Sequence, residues 1–307
     1  EMAQRFGVRF KEDQRTAGLS LTLGTEVVRP IDLATGYATL ANRGRYIGHT
    51  RILSVSDAQG SALIEPYQVP EGEPVVSPQT SYVMTDILAG NTNPNQNPLW
   101  GKYNIRDAEG TRRPAALKTG TTNDAIDLMA LGYIAPPGEE GRDRDEHALL
   151  VATWAGNSDN TPVTSADNPV FSTDVAAPLW QAFMTEATAE WQVRDFERPN
   201  GIVEARVDAW SGMRPHPQLA SETVNEIFLE GTVPGDDTTK RGLPVLAVPA
   251  DPADPESEST YYLWTEGCVG VPETRGFLVL DDVEKDRADW RAAIDDWISR
   301  ARQGPNV

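Results

Sequence analysis

The sequence predicts an α+β fold, an antiparallel sheet with packed helices followed by a small C-terminal appendage. Residues 30–43 and 77–90 carry apolar side chains at helical spacing. Residues 115–122, 129–135 and 146–155 are three strand-like runs in succession, and 174–189 return to helical spacing directly after them.

The first helix places Ile31, Leu33, Ala34, Tyr37, Ala38, Leu40 and Ala41 on one side, opens on Pro30 and closes on Asn42 and Gly44. Residues 48–65 alternate apolar and polar around Ala58-Gln59-Gly60, the pattern of a hairpin on a domain rim. The second helix begins at Ser77-Pro78, with Val83, Met84, Ile87 and Leu88 as its apolar face and Gly90 as a left-handed stop. Residues 91–114 are rich in Asn, Pro and Gly and hold Trp100 and Tyr103 in what reads as an exposed, irregular connection. The three strands then form a meander, the last two joined by a charged loop over 136–145. A helix over 174–189, with Val175, Leu179, Trp180, Phe183 and Met184 on one face, is expected to lie across that sheet.

Residues 1–195 are expected to form one domain and 196–250 its trailing segment. Residues 251–307 are expected to form an acidic linker (251–259) and a small accessory element. In that element 261–264 and 276–280 read as strands, and 286–302 as a helix with Trp290, Ile294, Trp297 and Ile298 on one side. No repeat of solenoid or propeller period is visible.

With 307 residues, 39% of them hydrophobic, the chain can bury a sizeable core. Its formal net charge of -19 argues against nucleic acid as a partner, because phosphate binding needs clustered Lys and Arg. Cys268 is the single cysteine, so neither an internal disulfide nor a cysteine metal cluster is expected. His49, His147 and His216 lie far apart, and no metal or cofactor site is expected. The longest apolar run, 148–155, is far short of the roughly 18 residues of a membrane span and reads as a buried strand. Glu1-Met2-Ala3-Gln4-Arg5-Phe6 lacks the basic start and apolar run of a secretory signal.

Lys118-Thr119-Gly120 sits on the first strand of the meander, where three residue types suit an acyl-transfer site. A strand-edge lysine can hold a substrate carboxylate or tune a neighbouring hydroxyl. Gly120 lets substrate lie against the backbone. The Thr121 amide can face a developing oxyanion, an interaction worth about 3 to 4 kcal/mol per donor. Threonine hydroxyls, including that of Thr122, can bind a free carboxylate. A phosphate loop is excluded, since the order of its glycine, lysine and threonine is not found here. As three letters alone, the triplet occurs by chance in many proteins.

Its surroundings extend the pattern. Leu23-Gly24-Thr25-Glu26-Val27 followed by Pro30-Ile31-Asp32-Leu33-Ala34-Thr35-Gly36-Tyr37-Ala38-Thr39-Leu40-Ala41-Asn42-Arg43-Gly44 is similar to the helix after the second active-site motif of class A, bifunctional penicillin-binding proteins. Lys118-Thr119-Gly120-Thr121-Thr122-Asn123-Asp124, Gly132-Tyr133-Ile134-Ala135-Pro136 and Trp154-Ala155-Gly156-Asn157 resemble that family's third motif and its two following strands. Ala177-Pro178-Leu179-Trp180 and Glu226-Ile227-Phe228-Leu229-Glu230-Gly231-Thr232 resemble the family's tail. The resemblance covers about residues 1–235.

The resemblance implies a partial penicillin-binding-protein/beta-lactamase-like transpeptidase fold and a serine acyl-transferase. Its serine attacks a D-Ala-D-Ala stem peptide, releases D-alanine and passes the acyl group to an amine; penicillins acylate the same serine. Lys118 is then a supporting catalytic residue, and Lys118, Thr119, Gly120, Thr121 and Thr122 bind substrate. The implied partners are the peptidoglycan stem peptide and beta-lactams. The implied location is the extracytoplasmic face of the bacterial membrane, reached through an N-terminal anchor. The sequence departs from the family's pattern in two respects. No serine stands three residues before Lys11, Lys102, Lys118, Lys240 or Lys285, and no Ser-x-Asn precedes Lys118. Ser158-Asp159-Asn160 follows the triplet and reads as a polar exit from a strand, with no catalytic role. The 307 residues are therefore expected to be the C-terminal part of a transpeptidase domain and inactive alone, since loss of a nucleophile typically costs about a millionfold. Two other readings remain open. One is a class A beta-lactamase, which ends soon after the motif, unlike this chain. The other is a non-catalytic remnant that binds or senses peptidoglycan peptide.

Overall fold

A computed structural model describes residues 1–10, 26–136, 148–165, 167–216, 222–236, 240–251 and 253–278, with a few isolated positions besides. It divides into two compact units, Glu1–Gly201 and Ile202–Val307.

The first unit opens with a one-turn helix, α1 (Met2–Arg5), and then α2 (Pro30–Ala41). Pro30 stands at the first helical position, where its missing N–H costs nothing, and Asp32 in the first turn receives a two-pronged bond from Arg29 (2.6 and 2.7 Å). After α2, Arg43 and Gly44 turn the chain with positive φ. Short strands β1 (Arg45–Tyr46) and β4 (Glu73–Pro74) pair around the expected hairpin, which is β2 (Val55–Ser56) and β3 (Ala62–Ile64). Helix α3 (Pro78–Gly90) begins at Ser77, whose hydroxyl accepts the Thr80 N–H at 3.1 Å.

Two expectations for α3 are corrected. Its end is not a left-handed glycine: Asn91 caps it in right-handed conformation. Its buried residues are Ser81, Thr85 and Leu88, whereas Met84 and Ile87 are 41% and 60% exposed. Hydrogen bonding explains the choice of face. Ser81 Oγ donates to Leu40 O of α2 (2.7 Å), and Thr85 Oγ1 meets the Tyr133 hydroxyl (2.8 Å), so the hydroxyls are satisfied across layers and can be buried cheaply.

A small hairpin, β5 (Ile105–Arg106) and β6 (Arg112–Arg113), lies inside the expected irregular connection. Tyr103, expected to be exposed, is buried, with its hydroxyl on Thr173 O. The core of the unit is an antiparallel meander of β7 (Ala115–Thr121), β8 (Asp127–Ile134) and β9 (Leu150–Gly156), followed by α4 (Ala176–Thr188). Alternation sorts its residues onto two faces. Ala115, Leu117, Leu128, Ala130 and Ile134 pack on Ala176, Ala177, Trp180 and Met184 of α4. Ala116 and Tyr133 pack on Leu88 of α3 and on Tyr37, Leu40 and Ala41 of α2. The sheet is thus covered by helices on both sides. On α4 the expected apolar face is corrected: Trp180 and Met184 are buried, but Leu179 and Phe183 are 52% and 53% exposed. Small Ala176 and Ala177 take the contact because the helix lies close to the sheet. Gly132 does the same on β8, where the Trp180 ring occupies the place of a side chain.

In the second unit, β10 (Ile202–Asp208) and β11 (Thr223–Leu229) pair antiparallel within the stretch 196–250. A second sheet has the order β13-β12-β14, with β12 (Lys240–Asp251) between β13 (Asp254–Leu263) and β14 (Glu273–Leu278). The expected linker 251–259 is therefore strand and turn. Val245, Leu246, Ala247 and Val248 face Leu263, Tyr262, Tyr261 and Thr260, and this register carries the pairing on into the acidic stretch. A bulge between Pro249 and Asp251 accommodates the proline, and Asp251 Oδ1 accepts the Ala253 N–H (2.8 Å) in the turn. The expected helix over 286–302 and most of the charged loop over 136–145 lie outside the described residues. Among those residues no helix is long and apolar enough to cross a membrane.

Candidate active-site strand

Strand β7 changes character halfway. Ala115, Ala116 and Leu117 are buried; Lys118, Gly120 and Thr121 are exposed and Thr119 is half-buried. Among the described residues it pairs with β8 alone, so no strand lies along its other edge. Hydrogen bonds reveal which backbone groups point off that edge. Thr92 Oγ1 and Asn91 Nδ2 donate to the carbonyls of Ala115 and Leu117, both at 2.8 Å, whereas Thr122 N, of the other parity, donates to Asp127 O of β8 (3.1 Å). With a two-residue period, the N–H and C=O of Thr119 and Thr121 point off the free edge as well. That orientation leaves the Thr121 N–H available to a ligand lying along β7.

Lys118 and Gly120 share the sheet face of Ala116, while Thr119 and Thr121 share that of Leu117. The Lys118 ammonium donates to Thr119 O (2.6 Å) and stands 6.0 Å from the centroid of the Trp100 ring. A Cβ added at Gly120 would meet nothing within 4 Å, so the space in front of this residue is open. Two of the threonine hydroxyls are engaged. Thr122 Oγ1 accepts the Asp127 N–H (2.8 Å) and closes the β7–β8 turn. Thr121 Oγ1 lies 2.7 Å from the buried Ser172 hydroxyl, which also donates to Gly120 O and lies 3.3 Å from Met129 N.

Ser172, just before α4, is a residue the sequence did not single out; it fastens the exposed half of β7 to β8 from below. Nothing local signals it, because its partners lie far away in sequence. Asn91 and Thr92, which brace the buried half, stand in the Asn-rich run after α3, the only trace they leave. Ser158, Asp159 and Asn160 form a turn after β9, with Asn160 at φ 60°. Asp159 Oδ1 accepts from Thr161 N (3.0 Å) and Thr161 Oγ1 (2.8 Å), which hold its carboxyl below the usual range. A cavity of about 340 Å3 lies elsewhere, bordered by Thr39, Asn42, Arg43, Ile47 and Leu150, and does not include Lys118.

No family model matches the chain. It is 27% identical over 219 residues to penicillin-binding protein 1A of Clostridium tetani, covering 71% of this chain and 25% of that protein. It is 28% identical over 218 residues to penicillin-binding protein 2D of Bacillus subtilis, covering 71% of this chain and 28% of that one. The chain thus spans about a quarter of the length of the curated relatives it matches. Among solved structures, penicillin-binding protein 1A from Haemophilus influenzae superposes with a TM-score of 0.58 at 22% identity, over 75% of this chain and 36% of that one. PonA1 from Mycobacterium tuberculosis gives 0.50 at 21% identity, over 64% of this chain and 50% of its own. The chain is thus similar in sequence to penicillin-binding proteins 1A and 2D, and similar in fold to the matched part of penicillin-binding protein 1A from Haemophilus influenzae.

Proposed function

We propose that β7 is one wall of the catalytic cleft of a serine D,D-transpeptidase that cross-links peptidoglycan and is blocked by beta-lactams. The observation that carries this reading is the exposed half of an edge strand on which an ammonium, an open glycine and outward backbone amides follow one another. In the reaction a serine hydroxyl attacks the carbonyl of the penultimate D-alanine of a stem peptide, and its proton passes to a base. The Thr121 N–H faces the tetrahedral oxyanion. The amide bond breaks, D-alanine leaves with a proton on its nitrogen, and an amine of a neighbouring strand then takes the acyl group from the serine. Lys118 binds the terminal carboxylate, as a compact cation does. Gly120 leaves the backbone open to the peptide.

The nucleophile and the Ser-x-Asn group come from residues other than these 307, whose sequence contains neither before Lys118. The whole protein acts at the extracytoplasmic face of the membrane, held there by an anchoring segment. Labelling with a fluorescent penicillin tests both halves of the proposal. The 307-residue chain alone should form no covalent adduct, and the full-length gene product carrying a Ser-x-x-Lys segment should form one. An adduct on the isolated chain would contradict the placement of the nucleophile. An unlabelled full-length protein would contradict the transpeptidase itself.

A further inference from the structure

We propose that Trp100 is a positioning residue for Lys118: its indole fixes the ammonium at the free edge of β7, and the loop that carries it is built to hold it there. The proposal rests on the reading of Lys118 as the carboxylate-binding group. A lysine on an exposed strand edge has a long, flexible stem, and its charge is useful only where the stem is held. Here the ammonium is bracketed by the Thr119 carbonyl at 2.6 Å and the Trp100 ring, whose centroid lies at 6.0 Å, within reach of a cation–π contact.

The loop is tied on both sides of the indole. Asn91 joins it to β7 through Leu117 O (2.8 Å), and Asn97 Nδ2 donates to Asn91 Oδ1 (3.3 Å). Asn97 Oδ1 accepts the amides of Leu99 (3.1 Å) and Trp100 itself (2.9 Å), so the same asparagine sets the backbone from which the indole projects. Beyond the indole, Gln181 Nε2 of α4 holds the carbonyls of Lys102 (2.8 Å) and Asn104 (2.6 Å). At Gly101 a Cβ would stand 2.3 Å from Pro94 Cα, so the fold-back that seats Trp100 requires glycine. A strongly acidic chain thus spends an ordered, asparagine-stapled loop on placing an aromatic face beside one lysine.

A passive role is the alternative, because Trp100 also packs against the core under α4. Leucine and phenylalanine separate the two, since both fill apolar space but only phenylalanine presents a ring face to a cation. In the 307-residue chain with 13C-labelled lysine, the Lys118 Hε protons should show an upfield ring-current shift. That shift should persist in Trp100→Phe and vanish in Trp100→Leu. In the full-length gene product, Trp100→Leu should lower the rate of acylation by fluorescent penicillin about two- to fivefold, and Trp100→Phe should stay near the parent rate. In a Lys118→Ala background the two Trp100 variants should no longer differ. Absence of the ring-current shift, or equal effects of Phe and Leu, overturns the proposal. If the parent protein itself does not react, the transpeptidase reading fails, and the ring-current comparison still decides the role of Trp100.

Discussion

Replacing Gly132 by alanine tests how tightly the candidate strand is backed. A Cβ at Gly132 would stand 2.3 Å from Ala116 O, 2.6 Å from Trp180 Cζ2 and 2.8 Å from Trp180 Cε2. Ordinary contact begins near 3.4 Å, so about 1 Å of movement is needed against a β7 carbonyl and a fully buried indole at once. Neither yields freely: moving the Ala116 carbonyl disturbs the β7–β8 ladder beside the Ala116–Tyr133 pair, and moving Trp180 unpacks α4. Overpacking of this kind costs about 1 to 3 kcal/mol, and the rigid backbone partner places this case at the top of that range. For a unit of about 200 residues each kcal/mol lowers Tm by about 2 to 4 °C, so the loss should be roughly 6 to 12 °C. Gly120→Ala is the control on the same pair of strands. Its Cβ meets nothing, its φ is not in the left-handed region, and an alanine there should be neutral or stabilise by about 0.5 kcal/mol. Thermal unfolding followed by near-ultraviolet circular dichroism reports on both. Equal Tm for Gly132→Ala and the parent, or a larger loss for Gly120→Ala, would refute the packing argument. A Gly120→Ala protein that is fully stable but slow to be acylated in its full-length form would show that the ligand, not the fold, needs the glycine.

Two pH dependences follow from buried or paired groups. Burial pushes the Tyr133 phenol up to about 12, so the folded state keeps a proton that the unfolded chain releases near pH 10. Its contribution is complete below about pH 10 and is lost as pH rises toward 12, about 2 to 3 kcal/mol in all. Tyr133→Phe should flatten that part of the alkaline limb in urea titrations, at the expense of about 1 to 3 kcal/mol at neutral pH for the stranded Thr85 hydroxyl. An unchanged alkaline limb would sink the assignment. The Arg29 guanidinium holds the Asp32 carboxyl below the usual carboxylate range against an opposing push from burial, so this pair stabilises the fold above about pH 4 and is lost as pH falls below it. Asp32→Asn should therefore be less stable than the parent at pH 7 and converge with it in acid. A gap that stays constant with pH would contradict the linkage.

The three helices and the meander were legible because their periods differ and each runs long enough to show one. Which face each helix buries was less legible. Hydrophobicity pointed to Met84, Ile87, Leu179 and Phe183, which are exposed, while Ser81, Thr85, Ala176 and Ala177 are buried. Side-chain size and long-range partners decided those positions: a helix lying close on a sheet needs small residues, and a hydroxyl becomes a core residue when its partner stands 48 positions away, as for Thr85 and Tyr133. The acidic hairpin near residue 251 was hidden for a related reason, since strands of a small sheet can carry charge that reads as linker. At the site, the sequence pointed to Lys118–Thr122 but not to Trp100 as a partner of Lys118, nor to Ser172.

That division has a physical basis in β7 itself. Ala115 to Leu117 are specified by the core, so their neighbours are read from hydrophobic pattern and cannot be altered without cost to folding. From Lys118 onward the strand stays paired with β8 but leaves the buried core, and its side-chain contacts come from remote segments: the Trp100 ring beside the ammonium, and Ser172 beside Gly120 and Thr121. Residues whose identity the fold does not demand are the ones whose identity a ligand can demand. This is why Gly120, open where a side chain would stand, discriminates between chemistry and stability more sharply than any buried residue of the sheet.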